Sequence, residues 1–185
     1  MSGVRLLACA PTPALRAAVF GGDGEPDDAG LRAARSLSGR RGLNGDQPWV
    51  CGGSVAAAAT ARALGRSAVA VPALADPDFG HWTGSALEVV AARDPAAVQT
   101  WLTDPGAAPH GGESLAAVTA RVGRWLDGQA SQPVVAVAHP VVVRAAVASA
   151  LELPPAALWR LDVAPLALLR LTCRAGRWHL HLPAT

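Results

Sequence analysis

Short apolar runs alternate along the chain with longer stretches in which apolar residues recur every three or four positions. That alternation is the sequence form of a layered α/β domain built on a largely parallel sheet. The apolar runs predict strands over Val4–Cys9, Pro48–Cys51, Ser67–Val71, Val134–His139, Ala167–Cys173 and Trp178–Leu182. The last two flank Arg174-Ala-Gly176-Arg177, a turn sequence that predicts an antiparallel hairpin at one sheet edge. Helical periodicity covers Pro13–Val19, Asp28–Ser38, Val55–Leu64, Ala96–Leu102, Ser114–Gln129 and Val141–Leu151. Two of these start at recognisable caps. Ser54 precedes an alanine-rich stretch that stops at Gly65, and Ser114 opens the longest amphipathic run. Gly21 to Asp28, rich in Gly, Asp and Pro, reads as an exposed loop. The expected fold is a three-layer αβα sandwich around a mostly parallel six-stranded sheet with an antiparallel C-terminal edge hairpin.

Composition narrows the picture. With 185 residues, 51% of them hydrophobic, the chain fills one sizeable core, so a single domain spanning 1–185 is expected. A net charge of +2 with basic residues scattered argues against nucleic acid as a partner. All sixteen basic residues are arginine and there is no tyrosine, which excludes Schiff-base lysine chemistry and a tyrosine acid. Cys9, Cys51 and Cys173 are too few and too dispersed for a disulfide framework, which points to a reducing compartment. No apolar run is long enough to span a bilayer and the start lacks a secretion signal. The expectation is a soluble cytoplasmic protein without a membrane partner.

The order of several motifs resembles the histidine phosphatase, or phosphoglycerate mutase-like, superfamily over nearly the whole chain. The first strand with Thr12 is similar to the family's Arg-His-Gly-Glu-Thr, and Cys51 to Gly65 to its Ser-Pro-Leu-x-Arg-Ala-x-Gln-Thr-Ala, retaining Thr60-Ala61 and Ala63-Leu64-Gly65. Leu74-Ala-Asp-Pro-Asp-Phe-Gly-His-Trp-Thr-Gly84 resembles the segment bearing the family's acid, and Gly111-Gly-Glu-Ser114 its Gly-Glu-Ser. Ala136-Val-Ala-His139-Pro-Val-Val-Val-Arg144-Ala145 is similar to the second histidine motif, and Leu158–Val163 fits the segment after it.

In such enzymes the first histidine attacks phosphorus, two arginines and the second histidine hold the phosphoryl oxygens, and an acid protonates the leaving group. Here the positions read Ala8 for the first arginine, Cys9 for the nucleophile, Ala10 for the following glycine and Ala56 for the second arginine. His139 remains, with Asp76 at the place of the acid. An alanine methyl cannot replace the bidentate bonds of a guanidinium to phosphate. Each lost contact costs roughly 2–4 kcal/mol in binding or transition-state stabilisation. The resemblance thus implies the fold without efficient phosphoryl transfer.

In open α/β sheets ligands sit beyond the carboxyl ends of the strands, where Cys9, Cys51 and His139 are expected. His139 titrates near neutral pH and suits acid or base work, and Asp76 in an apolar pocket is a candidate proton donor. Cys9 beside an imidazole follows the logic of an activated thiol, against the alternative that it is a small packing residue. Gly52-Gly53 offers backbone N–H groups for an oxyanion. Thr12, Cys51, Ser54, His81, Trp82 and Glu113 complete the candidate substrate contacts, with Ser54 read as a helix cap rather than a nucleophile and Asp78 a further nearby carboxylate. Arg144 reads as structural. Cys9, Cys51, His139 and His81 lack metal-ligand spacing, so neither a metal nor another cofactor is expected.

Three functions follow. The first is a repurposed enzyme acting on a small organic metabolite by acid–base chemistry such as cyclisation, dehydration or isomerisation, possible with Cys9 assistance and placed in specialised metabolism. The alternative is a pseudophosphatase that binds a ligand or a protein without turnover. Residual phosphatase activity comes third.

Overall fold

The computed structural model describes residues 3–181. Along the chain it forms β1 (Val4–Ala8), α1 (Pro13–Arg16), α2 (Asp28–Ser36), β2 (Trp49–Cys51), α3 (Val55–Ala63) and β3 (Val69–Ala70). There follow α4 (Leu87–Arg93), α5 (Pro95–Thr103), α6 (Leu115–Asp127), β4 (Val134–Ala138), α7 (Pro140–Ala150), β5 (Leu168–Arg174) and β6 (Arg177–His181). The six strands lie in the order β3-β2-β4-β1-β5-β6. β1 to β4 run parallel, with Val4 opposite Val134 and Trp49 opposite Val135, whereas β5 and β6 form the expected antiparallel hairpin at one edge.

Strand alternation sorts the core into two faces. Val4, Leu6 and Ala8 of β1 with Val134, Ala136 and Ala138 of β4 pack on α6 and α7. Leu7, Cys9, Val135 and Val137 face the other way, onto Ala56, Ala57 and Ala61 of α3. The alanines of α3 let the helix lie close to the sheet. A third cluster, Phe20, Trp82, Val90, Val98 and Trp101, forms beside the sandwich under α4 and α5.

Three elements depart from the expected pattern. The first helix stops at Arg16, because Ala18 takes a positive φ of 49° and Val19 turns to bridge Ala86. The strand expected over Ser67–Val71 shrinks to two exposed residues, since an edge strand with one partner has little to pack against. α4 carries no recognisable cap at Ala86 and was not foreseen. Leu182, the expected end of the last strand, lies outside the described residues. Among the described residues no helix is long and apolar enough to cross a membrane.

Candidate functional site

A cavity of about 250 Å³ opens beyond the carboxyl ends of the parallel strands. Cys9, Ala56, Asp76 and His139 line it, and Asp23, Thr12 and Arg144 border it. Phe20, Phe79, Trp101 and Trp159 supply aromatic wall. The rings interlock, with centroids 5.0 Å apart for Phe20–Phe79, 5.3 Å for Phe20–Trp101 and 4.6 Å for Trp101–Trp159.

Local chemistry explains why these side chains converge. Past β1, the Cys9 N–H donates to the Ala138 carbonyl at 2.9 Å, which keeps Cys9 beside the end of β4. The Ala10 N–H donates to Thr60 Oγ1 at 2.9 Å, and that hydroxyl donates to the Ala56 carbonyl at 2.7 Å. Buried Thr60 therefore fastens the end of β1 to the first turn of α3. His139 caps α7: its Nδ1 accepts from the Val141 N–H at 3.2 Å, which leaves the proton on Nε2.

Asp76 is held through its backbone. Arg121 of α6 donates to the carbonyls of Ala73 at 2.8 Å and Ala75 at 2.7 Å, and pairs with both oxygens of Glu113 at 2.7 and 2.9 Å. The Glu113 N–H in turn donates to the Asp78 carbonyl at 2.7 Å. A Cβ at Gly112 would strike that carbonyl, and Gly80, at φ +47°, leaves no room for one against His110. The acid segment and the Gly-Glu-Ser segment are thus locked together from behind, while Asp76 Oδ1 is buried without a hydrogen-bond partner.

Burial and charge set the protonation states. Burial, reinforced by the neighbouring carboxylate of Asp23, pushes Asp76 up to about 6 against a lesser lowering by Arg121. His139 is pushed down to about 4 by burial and by Arg144, so its imidazole is neutral at pH 7 and presents an N–H. Burial, then Asp76 and Asp23, push the Cys9 thiol up to about 12.

These states revise several expectations. Cys9 is 2% exposed and remains a protonated thiol, so the activated-thiol reading fails on desolvation and on the two carboxylates. The expectation of a His139 that titrates near neutrality fails for a similar reason. Cys51 lies outside the cavity, on the α3 face of the sheet. With β4 between β1 and β2, Cys9 and Cys51 sit about two strand spacings, roughly 10 Å, apart, beyond disulfide reach. Ser54 caps α3 through the Ala57 N–H at 3.4 Å and does not line the cavity. The Gly52 N–H is taken by the Val137 carbonyl, so it is not free for an oxyanion.

His81 and Trp82 occupy a short 3-10 turn (Gly80–Trp82) and border a separate depression with Val89 and Arg93. Trp82 instead packs on Phe20 and Trp101, and Glu113 is consumed by Arg121. Thr12 does border the cavity, although its hydroxyl accepts the Leu15 N–H as a cap. Among the described residues no group of three or more His, Cys, Asp or Glu is arranged to hold a metal ion.

Two site residues escaped the sequence reading. Asp23, placed in an exposed loop, folds back so that the Val55 and Ala56 N–H groups donate to its carboxylate at 3.0 and 3.4 Å. No spacing in Gly21-Gly-Asp-Gly24 announces this contact. Arg144 had been read as structural, yet it borders the cavity with its Nε buried and unpartnered among the described residues. Its position five residues after His139, early in α7, was the available signal.

An α/β sheet covered on both faces, with a histidine-capped helix and an acid beyond its carboxyl edge, is the arrangement to be compared with known families. Residues 23–184 match the histidine phosphatase superfamily (branch 1), and the chain belongs to that superfamily. The native mycobacterial glucosyl-3-phosphoglycerate phosphatase is similar in structure, with a TM-score of 0.84 at 25% identity over 97% of this chain and 96% of that one. The alpha-ribazole phosphatase from Shigella flexneri shares the fold, with a TM-score of 0.83 at 20% identity over 97% of this chain and 95% of that one. A bifunctional protein of Mycobacterium tuberculosis is 35% identical over 118 residues, 60% of this chain and 32% of that protein. That aligned stretch amounts to about a third of the length of the curated relative.

Proposed function

We propose that the cavity performs acid–base chemistry on a small organic substrate rather than phosphoryl transfer through a phosphoenzyme. The observation that carries this reading is a buried, unpartnered Asp76 Oδ1 in one cavity with a neutral His139, where no histidine or arginine stands at positions 8, 9 or 56. Asp76, raised to about 6, is matched to proton donation and acceptance near neutral pH. The His139 Nε2–H donates to an oxygen on which negative charge develops. Cys9 fills space in the same cavity. The family match begins at Asp23, beyond the strand that carries Cys9, which agrees with a first motif that has left the family pattern.

A phosphatase is the second reading, and the similarity to glucosyl-3-phosphoglycerate phosphatase favours it. In that case Arg144 and the His139 N–H hold phosphoryl oxygens, and Asp76 protonates the leaving group for attack by water. The two readings separate in one assay. Phosphate release is followed from a panel of sugar, amino-acid and aryl phosphomonoesters with the parent chain and with His139→Ala. The first reading expects no turnover in the ordinary enzymatic range of about 1–1000 per second on any of them. Turnover in that range, abolished by His139→Ala, overturns it in favour of the phosphatase.

A further inference from the structure

The charged groups around the cavity are of both signs and do not satisfy one another. Asp76 Oδ1 and Arg144 Nε are each buried without a hydrogen-bond partner among the described residues, and no ion pair joins Arg144 to Asp23 or to Asp76. A buried polar atom without a partner is costly, and a ligand that supplies the missing bond removes that cost. Charge also differs across the site. Asp23 is the carboxylate acting on Asp76, whereas Arg144 acts on His139.

An anion alone is a poor occupant. The first N–H groups of α3 are already taken: Val55 and Ala56 by Asp23, and Ala57 by Ser54. That leaves none of these three α3 donors for phosphate oxygens, and two carboxylates face any dianion. A cation alone leaves Arg144 unpaired. Phe20, Phe79, Trp101 and Trp159 line the same cavity, and aromatic rings suit an apolar body and attract an ammonium group. At about 250 Å³ the cavity is at the small end of ligand pockets.

We propose that the cavity binds a small zwitterionic ligand, its ammonium on Asp23, its carboxylate on Arg144 and its apolar body among the four aromatic rings, with Asp76 left to exchange the proton. This assignment rests on the acid–base reading above and names its substrate class. Asp23 and Arg144 are then the residues that set specificity: Asp23 plugs the helix start against anions and Arg144 selects the carboxylate.

The test is calorimetric titration of the full chain with four probes: 4-(aminomethyl)benzoate, benzylamine, benzoate and inorganic phosphate. The zwitterion is expected to bind at least about ten-fold more tightly than either singly charged aromatic probe, and phosphate more weakly than all three. Arg144→Gln should reduce the zwitterion to the level of benzylamine without weakening benzylamine, which loses a like charge from the cavity. Arg144→Lys should keep most of the preference. Asp23→Asn should reduce the zwitterion towards benzoate. Benzoate or phosphate binding as tightly as the zwitterion overturns the proposal, as does a folded protein that binds no aromatic probe at millimolar concentration. So does an Arg144→Gln variant, folded by its thermal melt, that weakens every probe alike. Failure here without phosphomonoester turnover sinks only the ligand class, whereas turnover sinks the acid–base reading itself.

Discussion

Asp76 and His139 share a cavity that disfavours charge on both, and this gives them opposite effects on stability. Asp76 is raised from an unfolded value of about 3.9 to about 6. Below pH 4 it is protonated in both states; above pH 6 it is ionised in both, and the folded state bears the penalty. Its contribution therefore worsens as pH rises from about 4 to 6. His139 falls from about 6.5 to about 4, so it is neutral in both states above 6.5 and its penalty grows as pH falls to 4. Each effect is on the order of 2 kcal/mol once partial exposure is allowed for. The two effects have opposite signs with pH, so they partly cancel in the parent chain. Urea titrations against pH should separate them. Asp76→Asn should lose stability on acidification from 6.5 to 4, and His139→Gln should gain it from 6 to 4. Two variants that both parallel the parent would show that neither group is perturbed.

Among the elements, α6 bears on the site more than its distance suggests. Arg121 ties the segment before Asp76 to Glu113 through bonds that replace hydration for three carbonyl or carboxylate acceptors. The pair is mostly buried, at 17% and 21% exposure, so breaking it strands a carboxylate and loop carbonyls. Arg121→Ala is expected to cost about 3–5 kcal/mol by denaturant unfolding. Coupling with Glu113→Gln in a double-mutant cycle should be about 1–3 kcal/mol. Strictly additive losses would show the pair to be independent of one another. This knot also shows what the sequence makes legible. Gly111-Gly-Glu-Ser114 was recognisable as a motif, and so was the acid segment, because glycines and caps leave local signatures. Their joining by Arg121 was not, since it links residues 48 apart and arginine at that helix position looks like any solvated cation. The sheet and six of the helices, the first in shortened form, were readable from periodicity. α4 was not, because seven residues without a side-chain cap leave too short a pattern. Cys9 and His139 were located correctly at strand ends, yet their protonation follows first from burial, then from Asp76 for Cys9 and Arg144 for His139, groups that periodicity does not bring together.

For the whole molecule, the cavity lies between parts of unequal stability. The two faces of the sheet are closed by large continuous clusters that run through β1 and β4, both central strands. The aromatic wall belongs to the smaller third cluster, where α4 and α5 pack chiefly on one another and on Phe20 and Trp82. Val89 and Leu102 remain exposed on these helices, so less apolar surface is removed from water there. Opening of 87–103 should therefore require less free energy than global unfolding, as expected for an element that admits a ligand. Native-state hydrogen exchange followed by mass spectrometry tests this directly. Amides of α4 and α5 should exchange by an opening a few kcal/mol below that of β4. Trp101→Ala, which removes a ring in contact with Phe20, Trp82 and Trp159, should speed that exchange while leaving β4 nearly unchanged. A saturating ligand should slow it, because the ring wall and the sheet edge then hold the same molecule. Exchange of 87–103 at the same free energy as β4, in both the parent and Trp101→Ala, would show instead that the wall and the sheet unfold as one unit. Access to Asp76 and His139 would then come through the mouth beside Asp23 rather than by movement of the wall.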